Sequence, residues 1–395
     1  MKDGGVKAAF GKVKITPEEP APLQGYDPSL YIANPDKDIL DELYARVLIL
    51  DDGISRQVIV SVDCCLTNEK DYLSPNPNGQ MEPYRQLLQT FPEGTKRFWA
   101  DAAQTEEFTV SVHATHTHSA PEHFSEKYTS RIAAMIAETA ERLQDVQIRA
   151  AAGQCSVSVN RRPHLQHNDT LPIDPSLHLI MIESVDGEAL GAIVNCAVHP
   201  TLLANPFNRV SSEFVGLAMS EYESTFKEGF VSLFIQGFSG NVGPRDHYRT
   251  ETEDTYPWVL EMAQVLHRDI AHAAKDLQPI GILPMKAAEK QVTLPTRQGY
   301  FMPTIDVTLQ GFRIGDLLLL AVSCEVFSGY ERLIKPYSPA SFTLMSGLAN
   351  GCHGYLPTVE AFRDGLGGYE MNVTPFDETV SDLFVRAAAE LVESL

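Results

Sequence analysis

The chain has 395 residues, enough for one large domain or two ordinary ones, with 44% apolar and 21% charged types. That balance belongs to a folded, water-soluble protein and excludes disordered, collagen-like and coiled-coil descriptions. With 52 Asp and Glu against 31 Lys and Arg, the net charge of -21 repels nucleic-acid phosphates and anionic bilayers, which removes nucleic acid from the expected partners.

The amino terminus, Met1-Lys2-Asp3-Gly4-Gly5-Val6-Lys7, has no apolar stretch of signal-peptide length, and a cytoplasmic location is expected. Runs rich in β-branched residues predict strands over 46–50, 58–62, 109–114, 177–182, 192–198, 231–235, 307–312 and 317–322. Several are apolar nearly throughout rather than alternating, the pattern of strands covered on both faces. Ile132, Ile136, Ala140 and Leu143 form one helical stripe. Val259, Met262, Ala263, Leu266, Ile270, Ala273 and Leu277 form a second, and Val380, Leu383, Phe384, Ala388, Leu391, Val392 and Leu395 a third. Segments 74–79, 161–175 and 295–303, rich in Pro, Gly and Asn, are expected to be loops. The expected fold class is α/β, with mixed β-sheets flanked by α-helices in a layered single domain over residues 1–395 and no internal repeat. No apolar run approaches the ~20 residues of a bilayer span, so no stable membrane insertion is expected. Six scattered cysteines, with Cys64 and Cys65 adjacent, lack C-x-x-C spacing and read as reduced thiols. A homo-oligomer is compatible with all of these features.

Chemistry concentrates at three strand ends. In Val112-His113-Ala114-Thr115-His116-Thr117-His118-Ser119, the one-residue spacing of His116 and His118 on an extended strand sends both rings to the same side, as a metal requires. A second candidate is His199, where the apolar strand Asn195-Cys196-Ala197-Val198 runs into His199-Pro200 and the proline ends the ladder. The third is Glu325, which follows an all-apolar strand, where an unpaired carboxylate is costly. Two histidines and a carboxylate with one position open to water are a common zinc-hydrolase ligand set. Spacing alone leaves open hydrogen-bonded histidines and an Arg or Lys partner for Glu325.

Taken together and in order, these segments resemble the motifs of the neutral/alkaline, non-lysosomal ceramidases. The resemblance runs through Gly11-Lys12-Val13-Lys14-Ile15-Thr16, Gln24-Gly25-Tyr26, Ser61-Val62-Asp63, His116-Thr117-His118-Ser119 and Val159-Asn160-Arg161. It continues through Val198-His199-Pro200-Thr201, Val210-Ser211-Ser212-Glu213-Phe214-Val215-Gly216 and the segment from Gln236 to Arg245, and ends with Gly347-Leu348-Ala349-Asn350, Tyr355, Thr358, Glu360 and Tyr369-Glu370. It covers nearly the whole chain and implies a domain like the ceramidase catalytic domain. It also implies one Zn2+ held by His116, His199, Glu325 and Tyr355. His118 would then be the base or a substrate contact, with Tyr369, Gln24, Asn241 and Gly243 on the substrate side.

The departures from the family redirect the expected chemistry. Where ceramidases carry the serine of Gly-Asp-Val-Ser-Pro-Asn, this chain has Gly240-Asn241-Val242-Gly243-Pro244-Arg245, so Gly243 offers no nucleophile. Neither the family's carboxy-terminal immunoglobulin-like domain nor a membrane-docking insertion is recognisable. The expectation is a zinc-dependent amidase or esterase that uses zinc-activated water on a small, polar, anionic substrate, with Arg245 and Arg161 as cationic contacts. The alternatives are a ceramidase-like N-acylsphingosine amidohydrolase and a non-catalytic, metal-containing binding protein. A structural zinc fits less well, since such sites close with four Cys or His ligands. The near-elbow Gly237-Phe238-Ser239-Gly240-Asn241 and the Ser224-Thr225-Phe226-Lys227 pattern lack companion motifs and are discounted.

Overall fold

A computed structural model describes residues 5–24, 32–66, 72–75, 81–84, 90–162, 172–203, 209–245, 254–365 and 367–395. The large sheet is built from β1 (Lys7–Lys14), β2 (Tyr44–Asp51), β3 (Arg56–Val62), β4 (Val110–Ala114), β5 (Gln144–Gln154), β6 (Ser176–Ser184), β7 (Ala189–Cys196) and β8 (Val231–Gln236). Its order is β8-β7-β6-β5-β1-β2-β3-β4, with Gln278–Pro279 added beside β5. The pairs β3/β4 and β7/β8 are parallel, and the other pairs are antiparallel. A smaller sheet, β9 (Met285–Pro295), β10 (Thr304–Ile314), β11 (Leu317–Val322) and β12 (Phe342–Ser346), runs in sequence order and ends in a parallel β11/β12 pair.

Alternation along the strands explains the layers. In β2 and β3, Val47, Ile49, Val58, Val60 and Val62 face a core shared with helices α1 (Thr95–Ala102) and α2 (Glu126–Ala140). Their neighbours Leu48, Leu50 and Ile59 face a second core that also contains Phe312, Ile314, Leu317, Leu319 and Leu344 of the small sheet. The two sheets therefore pack face to face, and helices cover their outer faces. Helices α3 (Glu213–Glu223) and α4 (Tyr256–Ala273) lie on β6 and β7, while α5 (Val380–Ser394) closes the small sheet. This is the expected α/β architecture of mixed sheets with flanking helices, and the all-apolar strands follow from burial on both faces.

All eight predicted strands and all three helical stripes are present. Leu143 and Leu277 lie just beyond their helices, because α2 and α4 end at Ala140 and Ala273. Strand β5, Gln-Asp-Val-Gln-Ile-Arg-Ala-Ala-Ala-Gly-Gln, escaped prediction because its Ala- and Gln-rich sequence has little intrinsic strand preference. Helix α3 escaped because seven of its residues are buried, several sides face protein and no single stripe stands out. Of the expected loops, 295–303 is largely as read, whereas Ser74 and Pro75 end a short strand, and 76–79 and 163–171 lie outside the described residues.

The edges of the large sheet curl towards each other. Ser61 Oγ on β3 donates to the Phe234 carbonyl on β8 at 2.6 Å, although these strands lie near opposite ends of the strand order. Under this curl sits a buried ionic network. Arg46 Nη1 lies 3.1 Å from Asp63 Oδ2, and its Nε lies 3.0 Å from Glu223 Oε1 on α3. Lys12 pairs with the second oxygen of Glu223, so two cations balance two carboxylates. Replacing Arg46 by Ala would strand Asp63 in the core and leave Glu223 to Lys12 alone, and urea unfolding should show a loss of about 3–5 kcal/mol.

Glu213 anchors the segment that follows His199. Its Oε1 accepts the Leu203 N–H at 2.7 Å, and its own N–H donates to Ser211 Oγ at 2.9 Å. Burial, with Asp41 nearby, pushes its pKa up to about 7 from an ordinary 4.5 despite those amide donors. Between pH 4.5 and about 7 the folded carboxyl keeps a proton that the unfolded one has lost, so this group's stabilisation falls as pH rises through that window and is lost above it. Glu213→Gln should flatten this dependence, changing the stability difference from wild type by up to about 3 kcal/mol across urea melts in that range.

Candidate metal centre

Three strand ends deliver the histidines and the carboxylate. Strand β4 stops at Ala114, and His116 then adopts a left-handed backbone at φ 73°. A non-glycine residue there costs about 1–2 kcal/mol. It is held by the Thr115 N–H on the Val62 carbonyl and by its own N–H on the Cys64 carbonyl, each at 2.9 Å. The rings of His116 and His118 do meet, with Nε2 atoms 3.5 Å apart, but through this turn rather than through strand pleating. His199 lies three residues past β7, and its N–H donates at 3.2 Å to Val242. Val242 lies in a ribbon in which Ser158–Asn160 pairs with Val242–Pro244.

Gln236, at the end of β8, ties the two histidine segments together. Its amide nitrogen donates to the Thr115 carbonyl at 3.3 Å and to the Val198 carbonyl at 2.5 Å, while its oxygen accepts the Val198 N–H at 3.0 Å. The glycines that follow permit close approach. A Cβ at Gly237 would lie 2.7 Å from the Ala197 nitrogen, and one at Gly240 would lie 2.5 Å from the Glu325 carbonyl oxygen. Glu325 and Tyr355 are direct partners in the short parallel pair Glu325–Val326 and Tyr355–Leu356, which sets their side chains next to each other.

His116 Nε2 lies 2.8 Å from His199 Nε2 and 3.4 Å from Glu325 Oε2, and His199 Nε2 lies 3.7 Å from the same oxygen. Two ligands on one zinc at tetrahedral angles would be about 3.4 Å apart. Glu325 Oε2 is buried with no hydrogen-bond partner among the described residues, a lone pair that a cation would satisfy. The donor set therefore fits a divalent metal ion. Electrostatics agree. Burial works against a charge on His116, but Cys65 and Glu325 outweigh it and hold that imidazole up at about 10. Burial and a charged His116 push His118 and His199 well below the usual range. The cluster thus favours one positive charge at its centre and neutral imidazoles around it.

Beside the cluster, Arg161 Nη1 donates to the Tyr355 hydroxyl at 3.2 Å, and its Nε lies 3.3 Å from Glu370 Oε1. Burial, then Glu325, raises the Tyr355 phenol well above its ordinary pKa, and Arg161 opposes them. Arg162 shares Glu370 at 3.5 Å and grips the Gly367 carbonyl with Nε and Nη2 at 2.9 and 2.7 Å. Tyr369, 62% exposed, stands edge-on to Tyr355 with ring centres 6.0 Å apart.

The remaining candidates are more dispersed. Gln24 is buried against the segment after His118, its N–H on the Ala120 carbonyl at 2.9 Å, whereas Gly25 and Tyr26 lie outside the described residues. Asn241 acts within the scaffold, its Oδ1 accepting the Ser328 N–H at 2.8 Å and its carbonyl accepting the Arg161 N–H at 3.0 Å. Gly243 pairs with Val159 inside the ribbon. Arg161 and Arg245 leave that ribbon at opposite ends, the latter bonded through its N–H to Val157 at 2.8 Å. Four residues of extended chain, about 13 Å, separate Arg245 from Asn241. Arg161 is thus the guanidinium drawn to the cluster. Sequence reasoning missed Gln236, Arg162 and Cys65, whose Sγ lies 3.2 Å from His116 Nδ1. The adjacent Arg161-Arg162 and Cys64-Cys65 pairs were the only visible signals.

No protein-family model matches the chain. A neutral ceramidase of Pseudomonas aeruginosa is 30% identical over 165 aligned residues, which cover 35% of this chain and 25% of that protein. The crystal structure of neutral ceramidase from Pseudomonas aeruginosa matches with a TM-score of 0.77 at 19% identity, over 100% of this chain and 75% of that one. A structure described as ceramidase complexed with C2 gives 0.78 at 18% identity, over 99% and 75%. These structures share the fold of this chain, and the stretch of sequence similarity, which spans a quarter of the ceramidase's length, points to the same relatives.

Proposed function

We propose that this chain is a zinc-dependent hydrolase that cleaves an amide or ester bond in a small, polar, anionic substrate. The convergence of His116, His199 and Glu325 around an orphaned carboxylate oxygen carries this reading, and homology to a ceramidase supports a hydrolase. His116, His199, Glu325 and Tyr355 would hold the ion, a nitrogen and oxygen set that suits zinc. When bound, zinc would polarise a carbonyl and make water more acidic.

The chain's own groups supply the rest. His118, half-buried and kept neutral, is placed to accept a proton. Arg161 presents a fixed cation beside the Tyr355 hydroxyl, where negative charge on a carbonyl oxygen would be stabilised. Arg161 and Arg162 share the single carboxylate of Glu370, so one positive charge is left for an anionic substrate. Gly243 leaves the family's serine position without a hydroxyl. A ceramidase-like N-acylsphingosine amidohydrolase is the second reading, favoured by the homologous stretch and by the exposed Tyr369 ring, an apolar wall for an acyl chain.

Protein purified without chelator should carry one zinc per chain, and His116→Ala or His199→Ala should lose most of it. In a panel of matched amides and esters, carboxylate-bearing substrates should turn over faster than neutral ones and faster than ceramide. Arg161→Gln should raise KM for the charged substrate by about tenfold or more, and Arg245→Asn by less. Ser239→Ala should retain turnover within about tenfold, whereas inactivation by an organophosphate that labels a serine would overturn the water mechanism. Faster cleavage of ceramide than of every soluble amide or ester would establish the second reading instead.

A further inference from the structure

The metal centre has a second face. Cys65 lies three residues beyond β3, is buried, and sets its Sγ 3.2 Å from His116 Nδ1. His118 Nε2 is 3.5 Å from His116 Nε2, with the ring centres 4.8 Å apart. One donor atom from each of Cys65, His116 and His118 falls within 4.8 Å of the others, as do those of His116, His199 and Glu325. Two ligand triads of different chemistry therefore share a single imidazole.

We propose that Cys65, His116 and His118 form a thiophilic metal site whose occupant competes with the ion at His116, His199 and Glu325. Both sets can hold zinc, but the thiolate of the Cys65 triad favours the softer d10 cations Cd2+ and Cu+, which the imidazole and carboxylate set holds less well. Binding replaces the Cys65 thiol proton, which passes to solvent, and no electron is transferred. The backbone of Cys65 is already fixed, its carbonyl accepting Thr90 Oγ1 at 2.9 Å, and the following turn is pinned by the His116 N–H on the Cys64 carbonyl. Little ordering entropy is therefore left to lose on binding. A neutral imidazole offers one lone pair, so a soft ion that takes His116 removes it from the other triad. The consequence is that thiophilic metals displace zinc by seizing a shared ligand.

This inference depends on the proposed hydrolase only through the shared His116, and the test separates the two. Cd2+ is titrated into the chelator-stripped chain while the thiolate-to-cadmium charge-transfer band in the ultraviolet is followed, with wild type, Cys65→Ser and His199→Ala compared. Wild type should show the band. Cys65→Ser should lose it, with cadmium affinity falling at least about tenfold, while zinc binding persists. His199→Ala, outside the soft triad, should keep the band although zinc affinity is lost. Cadmium NMR of the wild type reads a sulfur ligand directly, so a poorly folded variant would not leave the question open. A band that survives in Cys65→Ser, or that disappears in His199→Ala, overturns the proposal. Zinc binding without any cadmium–thiolate signal overturns it too but leaves the metal centre standing. Failure of both ions to bind removes the metal centre itself.

Discussion

The side-chain amide of Gln236 is the interaction on which the candidate metal centre depends. His116 and His199 come from strands at opposite ends of the large sheet's strand order, and neither loop is held by the ladder of the other. One buried amide reaches both, through the Thr115 carbonyl on one side and the Val198 carbonyl and N–H on the other. It can do so because the sheet curls until β8 returns to β3, with Ser61 bonded to Phe234. That curl encloses Arg46, Asp63 and Glu223, so the ionic network and the candidate metal ligands share one structural cause. A buried amide with three partners is a strong positional constraint, because losing any partner leaves an unsatisfied group.

Strands and helices were legible in the sequence where burial leaves a simple pattern. The fully buried runs at 58–62, apolar except for Ser61, and 317–322 have no exposed face to encode, and the stripes of α2, α4 and α5 have a single one. Strand β5 was not legible, since its pairing with β6 and β1 is tertiary in origin and its own residues are strand-neutral. At the site, histidine spacing pointed to the right segments for an incomplete reason. His116 and His118 meet because His116 enters a left-handed turn, a feature that no periodicity carries. The role of Gln236 is invisible in one sequence because it depends on two partners 38 and 121 residues away.

Arg245 and Arg161 enter the site region from different places. Arg245 stands one position beyond Pro244 in the segment that resembles the family's serine motif, so a charge near the candidate metal centre is the natural reading of the sequence. In the antiparallel ribbon, Arg161 beside Asn241 and Arg245 beside Val157 mark the two ends, and Arg161 is the one whose guanidinium meets Tyr355. The cationic side of the site is built instead from consecutive arginines that divide one glutamate between them. Arg161 faces the Tyr355 hydroxyl, while Arg162 turns to the Gly367 carbonyl.

In the proposed function, this division would couple recognition to the short helix Tyr369–Val373. Gly367 and Gly368, just before the helix, have positive φ, a conformation that glycine adopts without strain. The grip of Arg162 on Gly367 and the double claim on Glu370 hold this segment in place. Tyr369 is thereby held edge-on to Tyr355, next to Glu325 in the metal centre. An anion that drew Arg161 away from Glu370 would strengthen the pull of Glu370 on Arg162, since one carboxylate would then face one guanidinium instead of two. Substrate charge would in this way be felt by the wall of the site as well as by its cation. The aromatic rim would tighten without any rearrangement of the strands that hold the candidate metal ligands.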